Sequence, residues 1–562
     1  MKHFMQKWGL LLLTVLTFFF MLGNRSLNEP DEGRYSEIGR EMVETGDWLV
    51  PHLWYLPHLD KPPMTYWLEA ISIKFVGQNE WAVRLPLALA GISGVWATFL
   101  LGGAIGGRRV GLWSALILQS SLLYFVMARQ LTTDMYLTQF VAWAMYFFWR
   151  SRETTKAESG KRKAETFGWQ VGGWVMLALA FLTKGPIALA IPAAAFGVLL
   201  VYRRKEINCP GRFIAGLAIG LVIFSVIAAP WFLAVFGTVS QSEHFMIFGQ
   251  AAGHFLGTTI KDRSGNPFYF FAILFVGLMP WTFLLGWLWR REHWRSLDAR
   301  SKDAWLLLSV WAIFTFVVFS ISKAKLPAYI LPIFPALAIL LAWRLLSGNG
   351  GFTGVCRACL ICSLSVPVLV PLVIRFAFHV ELPSWLWLQT AGMLVILGLV
   401  AWRARHWPAD RVVGVAVGLT VAGYFLTVSE LPRFENGFRG NQTMRPLGVA
   451  LRENYQPGDA VICWKRLPQG LPFYAGDVIA ATNRPYFGGM DLAQMPFRFP
   501  GNQERLGDHL LTNDVAMTQM ITGERRVWIV AYGRSMEPFQ ASNHVALRSI
   551  RRAGQWELFS NR

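Results

Sequence analysis

The stretch Glu29-Pro30-Asp31-Glu32-Gly33-Arg34-Tyr35 stands just behind the first long apolar run, Trp8 to Gly23. It continues through Arg40-Glu41-Met42, Gly46-Asp47-Trp48 and Lys61-Pro62-Pro63 before the next apolar segment. A chain that crosses a bilayer repeatedly seldom spends so many charges on its first outside loop unless that loop does chemistry.

Composition supports a membrane class. Of 562 residues, 54% are hydrophobic and 14% aromatic, with 26 Trp and 41 Phe, an excess that a soluble core does not need. Lys2 and Lys7 precede the first apolar run, and no small-residue cleavage site follows it, so it reads as a retained signal anchor. The net charge of +19 would suggest nucleic acid in a soluble chain. Here the excess lies in short loops between spans, and topology explains it without a nucleic-acid partner. The cysteines are Cys209, Cys356, Cys359, Cys362 and Cys463. With no His or carboxylate beside the Cys-x-x-Cys-x-x-Cys run, they read as buried structural residues.

A spanning helix takes roughly 20 apolar residues, which gives about thirteen candidates. They begin near Trp8, Ala82, Val110, Met135, Val171, Ile187, Phe213, Phe268, Ala304, Leu326, Val355, Trp385 and Val412. The strongly basic loops (Arg108-Arg109, Arg150 to Lys163, Arg203 to Lys205, Arg290 to Lys302, Arg403 to Arg411) all follow even-numbered spans. The positive-inside rule then places them and the N-terminus in the cytoplasm. The loops facing outward hold the acidic motif, Arg129 to Asp134, Thr183 to Pro186, Thr238 to Asn266 and Ser322 to Pro327. Their charges run against the topological bias and are candidates for binding.

The expected organisation is therefore an all-α polytopic membrane domain over 1–429, whose outside loop 25–80 carries juxtamembrane helices, and a smaller α/β domain over 430–562 on the outer side. Asp459 to Trp464 and Arg526 to Tyr532 read as strands, and Ala546 to Phe559 as a hairpin centred on Ala553-Gly554. No Walker loop or dinucleotide glycine motif is present.

Asp31 has a plain alternative reading, the N-cap of a helix through Met42 with Tyr35, Ile38 and Met42 on one face and Glu37, Arg40, Glu41 and Glu44 on the other. Asp134 likewise could cap the fourth span. An aspartate at the lip of a membrane cavity is costly unless paired or wet, and two such carboxylates suit a site that handles a sugar and offsets positive charge at an anomeric carbon. Lys61 sits before two prolines that fix it ahead of the next helix, with Met64, Trp67, Leu68, Ile71 and Phe75 as an interfacial stripe. Lys184, Lys323 and Lys325 lie at outside helix ends. Singly each reads as a snorkelling lysine; with Arg34 they suit a phosphate. His52, His58 and Asp60 make a poor metal signature, so no metal or cofactor is expected.

These motifs resemble the aminoarabinose transferase (ArnT) group of GT-C glycosyltransferases, relatives of the protein O-mannosyltransferases. The resemblance rests on Glu29 to Met42, Gly46-Asp47-Trp48 and Lys61 to Trp67, with Leu182 to Pro192 and Ser322 to Pro332 in support. It covers Asn28 to about Pro335. It implies a GT-C fold in the Gram-negative inner membrane, with the site and the C-terminal domain on the periplasmic face. The implied reaction moves 4-amino-4-deoxy-L-arabinose from undecaprenyl phosphate to a lipid A phosphate. Direct displacement by that phosphate predicts inversion, and a monomer is expected. The product resists polymyxin and other cationic peptides. The resemblance also implies catalytic importance for Asp31, with Arg34, Lys61 and Asp134 nearby. The catalytic candidates are Asp31 and Asp134, and the candidates for donor or phosphate contacts are Arg34, Tyr35, Lys61, Lys184, Lys323, Lys325 and Tyr329. One departure stands out. Relatives carry Glu-His-x-x-Arg-Phe before a Pro-Phe-x-Tyr stretch, and here neither Glu243-His244 with Ile247-Phe248 nor Gln250 with His254-Phe255 supplies the arginine. His254 is the candidate replacement. Two other readings are a transferase that moves mannose to protein hydroxyls and a flippase for lipid-linked sugars.

Overall fold

The computed structural model describes residues 2–155, 160–204, 210–246, 266–289, 291–347, 384–403, 407–430, 443–481, 485–491, 496–497 and 499–562. Two compact units emerge. One comprises Met1–Met21, Leu87–Gly237 and Met246–Ser429; the other comprises Leu22–Pro86, Thr238–Phe245 and Glu430–Arg562.

The first unit is helical. Among the described residues, Glu80–Gly106, Ala164–Lys184, Ile214–Thr238, Ala299–Ile321, Pro327–Leu346 and Asp410–Ser429 are long and apolar enough to cross a membrane, and Trp8–Phe19 and Ile187–Tyr202 are shorter apolar helices. Two expected spans are interrupted. The segment from Val110 is divided into Arg108–Gln119 and Leu122–Met127. At the break the Ser121 hydroxyl donates back to the Ile117 carbonyl at 2.7 Å, a bond that competes with the helix ladder. The segment from Phe268 becomes the helix Tyr269–Gly277 and a 3₁₀ stretch Trp281–Trp287, separated by Pro280, which has no N–H to give. The span expected from Val355 lies outside the described residues.

Buried ion contacts tie these helices together. Asp303, 1% exposed, receives Arg152 and, at 2.7 Å, the Nε of Arg203. Three basic-loop helices thus converge on one carboxylate. Arg129 donates to the carbonyls of Phe18 at 2.9 Å and Phe20 at 2.7 Å. It satisfies the end of the first helix, where carbonyls lack intrahelical partners.

The second unit contains a six-stranded sheet. In chain order its strands are β3 Ala460–Trp464, β4 Tyr486–Gly488, β5 Leu510–Leu511, β6 Val527–Tyr532, β7 Arg548–Ala553 and β8 Trp556–Ser560, after a small hairpin of β1 His52–Leu53 and β2 Leu56–Pro57. The spatial order is β5-β4-β3-β6-β8-β7. Pairings from β5 to β6 are parallel, and β6, β8 and β7 are antiparallel. β3 is buried along its whole length, as parallel strands covered on both faces must be. Ile462, Trp464, Ile529, Met517, Met536 and Phe539 form its core. The expected hairpin is β7–β8, turning at Gly554 with φ 62°. Cys463 is buried in β3, and burial raises its thiol pKa. The other four cysteines lie outside the described residues.

The first loop packs within this second unit. The helices Asp31–Thr45 and Met64–Val76 lie against each other so closely that a Cβ on Gly39 would come 3.3 Å from the Ala70 backbone. The β1–β2 turn puts both Trp54 and Tyr55 at φ 58°. Such a turn matches strand twist but ordinarily takes Asn or Gly. Packing compensates. Trp54 is 1% exposed and meets the Phe487 ring edge-on at 5.6 Å, and the Tyr55 N–H donates to Glu41 at 3.0 Å.

Candidate active site

The Asp31–Thr45 helix starts one residue earlier than a capping role for Asp31 requires. Pro30 occupies the cap position and makes no side-chain cap bond, and Asp31 is the first helical residue. Freed from capping, its carboxylate pairs with Arg34 one turn on. The amphipathic reading of this helix is also corrected: on its expected polar face Glu37, Arg40 and Glu41 are buried as fully as Ile38 and Met42. Arg40 reaches Glu37 at 2.7 Å and also Glu44, so this face packs inside the protein.

The acids of the motif have distinct environments. Glu32 is fully buried. It accepts from Arg25, from the Asn28 N–H at 3.0 Å, and from Arg84 through Nε at 3.1 Å and Nη2 at 3.0 Å. Burial alone would raise its pKa, but Arg25 and Arg84 more than offset this and hold the carboxyl below the usual carboxylate range. Arg84 is itself wholly buried and donates to the carbonyls of Leu22, Arg25 and Ser26. Glu29 accepts the backbone N–H groups of Gln469 at 2.9 Å and Gly470 at 2.6 Å. Burial pushes its carboxyl up to about 8, against the pull of those two donors and of Arg34. Asp31 differs from both, with 31% of its side chain exposed.

Around Asp31 the sequence candidates assemble. Arg34 is buried and lies 5.4 Å over the Tyr35 ring, which stacks on Tyr66 at 5.7 Å. Burial works against the guanidinium charge, yet Asp31, then Tyr35, Asp60 and Tyr66, raise its pKa further. Lys61 lies 3.7 Å from the Asp60 carboxylate and donates to the Asp60 carbonyl at 3.1 Å. Asp60 and Tyr66 belong to this cluster although the sequence did not mark them for it; Asp60 stood out only as a poor metal ligand. Among the described residues no group of three His, Cys, Asp or Glu side chains is placed to hold a metal ion.

The second group is in the helical unit. Asp134 lies in the first turn of the Thr133–Thr155 helix and is buried. Lys184, the last residue of its own helix, donates to it. The ammonium also sits 4.1 Å over the Tyr329 ring and 5.8 Å from that of Phe319. A carboxylate, a lysine and two aromatic faces thus share one pocket of charge. Lys325 donates to the carbonyls of Phe319 at 3.0 Å and Ser320 at 2.6 Å. It closes the end of the Ala299–Ile321 helix, and burial lowers its pKa. Lys323 is exposed. His254 lies outside the described residues, as do Ile247, Phe248 and Gln250.

Known proteins share both the sequence and this fold. Residues 60–248 match the family model for dolichyl-phosphate-mannose-protein mannosyltransferase. An undecaprenyl phosphate-alpha-4-amino-4-deoxy-L-arabinose arabinosyl transferase of Edwardsiella ictaluri is 35% identical over 362 residues, 62% of each chain. The chain therefore spans about three fifths of the length of such curated relatives. A second transferase of that name, from Sodalis glossinidius, is 30% identical over 447 residues, covering 74% of this chain and 76% of its own. The crystal structure of ArnT from Cupriavidus metallidurans bound to undecaprenyl phosphate superimposes with a TM-score of 0.80 at 23% identity, over 98% of this chain and 97% of that one. On these matches the chain belongs to the undecaprenyl phosphate-alpha-4-amino-4-deoxy-L-arabinose arabinosyl transferase family.

Proposed function

We propose that the chain transfers 4-amino-4-deoxy-L-arabinose from undecaprenyl phosphate to a phosphate of lipid A, so that the added amine masks negative charge and weakens binding of polymyxin and similar peptides. One observation carries the reading. Of the motif's first three acids, Glu29 and Glu32 are closed off by protein donors, and Asp31 alone is left partly open, with a charged arginine against it.

In the reaction an oxygen of the acceptor phosphate attacks the anomeric carbon, and the bond from that carbon to the donor phosphate breaks with its electron pair. Arg34 and Lys61 stabilise the charge that develops on the departing undecaprenyl phosphate, with Tyr35 flanking. The acceptor, with a second pKa near ~6, is mostly ionised at neutral pH and needs little help from a base. Asp31 therefore orients the acceptor or offsets positive charge on the sugar, and direct displacement inverts the anomeric centre. Asp134 acts in support. Lys184, Lys323, Lys325, Tyr329 and His254 remain candidates for phosphate contacts. No metal is needed. The protein works as a monomer with about thirteen spans in the Gram-negative inner membrane, and Asp31 and the α/β domain face the periplasm.

The test is transfer by purified protein in detergent, given lipid-linked aminoarabinose and lipid A, with mass spectrometry of the product. Lipid A gains one aminopentose, the product is inverted, and Asp31→Asn loses turnover while still binding donor. Absence of transfer, or an Asp31→Asn enzyme at wild-type rate, sinks the reading. The match to the mannosyltransferase model favours a second reading, transfer of a sugar to a Ser or Thr hydroxyl; a peptide acceptor in the same assay separates the two.

A further inference from the structure

Among the residues of the motif Glu29 to Tyr35 that the chemistry does not use are Glu29 and Gly33. Both point at one short segment of the α/β domain, Pro468-Gln469-Gly470-Leu471. The Glu29 carboxylate takes the Gln469 and Gly470 N–H groups on separate oxygens. Gly33 lies against the same place: a Cβ there would strike the Glu29 carboxylate and come within 2.7 Å of the Gly470 nitrogen and 2.8 Å of its Cα. Seen from the other side, a Cβ on Gly470 would come within 2.9 Å of the Gly33 Cα and 2.5 Å of the Glu29 carboxylate. Two glycines and a buried carboxylate thus let two backbones touch, where any side chain would force them apart.

Further bonds tie the loop to the same domain. The Leu27 N–H donates to the Tyr474 hydroxyl at 2.7 Å, and that hydroxyl reaches Glu80 at 3.1 Å. The Gln78 amide donates to the Phe473 carbonyl, and Asn502 donates to the Pro57 carbonyl at 3.0 Å. The loop is held near its start, middle and end, and the two-bond tie through Glu29 falls two residues before Asp31.

We propose that the α/β domain is a brace for the Asp31–Arg34 corner, with Glu29 and Gly33 as positioning residues acting through Gly470. The proposal rests on the reading that Asp31 serves the transfer. It assigns the soluble domain a task within the reaction, and it divides the motif. Glu29 and Gly33 set where the helix begins, Glu32 anchors it on Arg84, and Asp31 and Arg34 are left to meet substrate. A reacting group displaced by about 1 Å can lose roughly 10²-fold in rate, so a slack brace lowers kcat.

The experiment compares full-length Glu29→Ala, Glu29→Gln, Gly470→Ala and Glu29→Ala/Gly470→Ala. Turnover, donor KM and hydrogen exchange over residues 27–36 are measured on each. Glu29→Ala and Gly470→Ala each lower kcat by ~10–100-fold, leave donor KM within about threefold, and speed exchange at the helix start. The double variant falls little below the worse single, because both break one contact. Glu29→Gln keeps one acceptor oxygen and recovers part of the rate. Where a glycine variant does not fold, Tyr474→Phe, which removes the acceptor for Leu27 and the hydroxyl's bond to Glu80, gives the same direction at smaller size. Unchanged exchange and kcat in folded single variants overturn the proposal, and so does a multiplicative loss in the double. If wild type transfers nothing, the reading of function fails, and exchange at residues 27–36 still decides the brace.

Discussion

Asp31 and Glu32 are adjacent acids, and replacing each by its amide has opposite consequences. Glu32 has no exposed side-chain surface, and its two oxygens accept from Arg25, Arg84 and the Asn28 N–H. In Glu32→Gln one oxygen becomes an NH₂ group that points at guanidinium donors. Arg84, with no exposed surface either, then holds a charge with no counter-charge. Removing one partner of a buried pair costs about 3–5 kcal/mol, a shift of roughly 10²–10³-fold or more in the unfolding equilibrium. Arg25, at 12% exposure, keeps some contact with water and moderates the loss toward the lower end. Asp31→Asn has no such debt. Its side chain is 31% exposed, and partly solvated pairs contribute about 0–1 kcal/mol. Reversible unfolding in a graded detergent titration measures both variants, with transfer assayed on the folded fraction. Glu32→Gln unfolds early and transfers normally per folded molecule; Asp31→Asn unfolds with wild type and transfers poorly. A Glu32→Gln protein as stable as wild type, or an Asp31→Asn protein destabilised by several kcal/mol, refutes the division of labour.

Lys184→Met strands the buried Asp134 carboxylate and lowers stability by about 3–5 kcal/mol, whereas Asp134→Asn/Lys184→Met recovers most of that loss; equal stability of the two by thermal melting would count against the pair. Asp303→Asn unpairs Arg152 and Arg203, each 22% exposed, and destabilises the helical unit by an amount near the lower end of the same ~3–5 kcal/mol range, leaving hydrogen exchange in the β3–β6 sheet unchanged. Glu29 gives a pH dependence. Its folded pKa, about 8, lies above its ordinary value of 4.5, so its contribution to stability is complete below about 4.5 and is lost as pH rises through about 8. Melting temperature of wild type therefore declines across that window more steeply than that of Glu29→Gln, and parallel curves would contradict the burial of this carboxyl.

The helical and α/β parts were legible because each rests on a signal local in sequence. Long apolar runs force helices in lipid, and β3, β6 and the Gly554 hairpin follow from apolar strands and a turn residue. Interrupted spans were not legible. A Ser120-Ser121 pair or Pro280 inside an apolar run leaves hydropathy almost unchanged while removing or diverting backbone hydrogen bonds. At the site, residue types were readable and pairings were not. Lysines at helix ends suggested phosphate, yet Lys184 meets Asp134 and Lys325 closes a helix end, which only the fold decides. The burial of Glu37, Arg40 and Glu41 shows the same limit: an amphipathic pattern tells a polar face from an apolar one, and it cannot tell water from a partner with matching charges. For a membrane enzyme this distinction separates chemistry from anchorage. Glu29 and Glu32 stand in the same acidic motif as Asp31, and their protein partners exhaust them. What marks Asp31 is the solvent left to it after every neighbouring charge has found a partner, a property of the whole folded neighbourhood that no spacing of residues records.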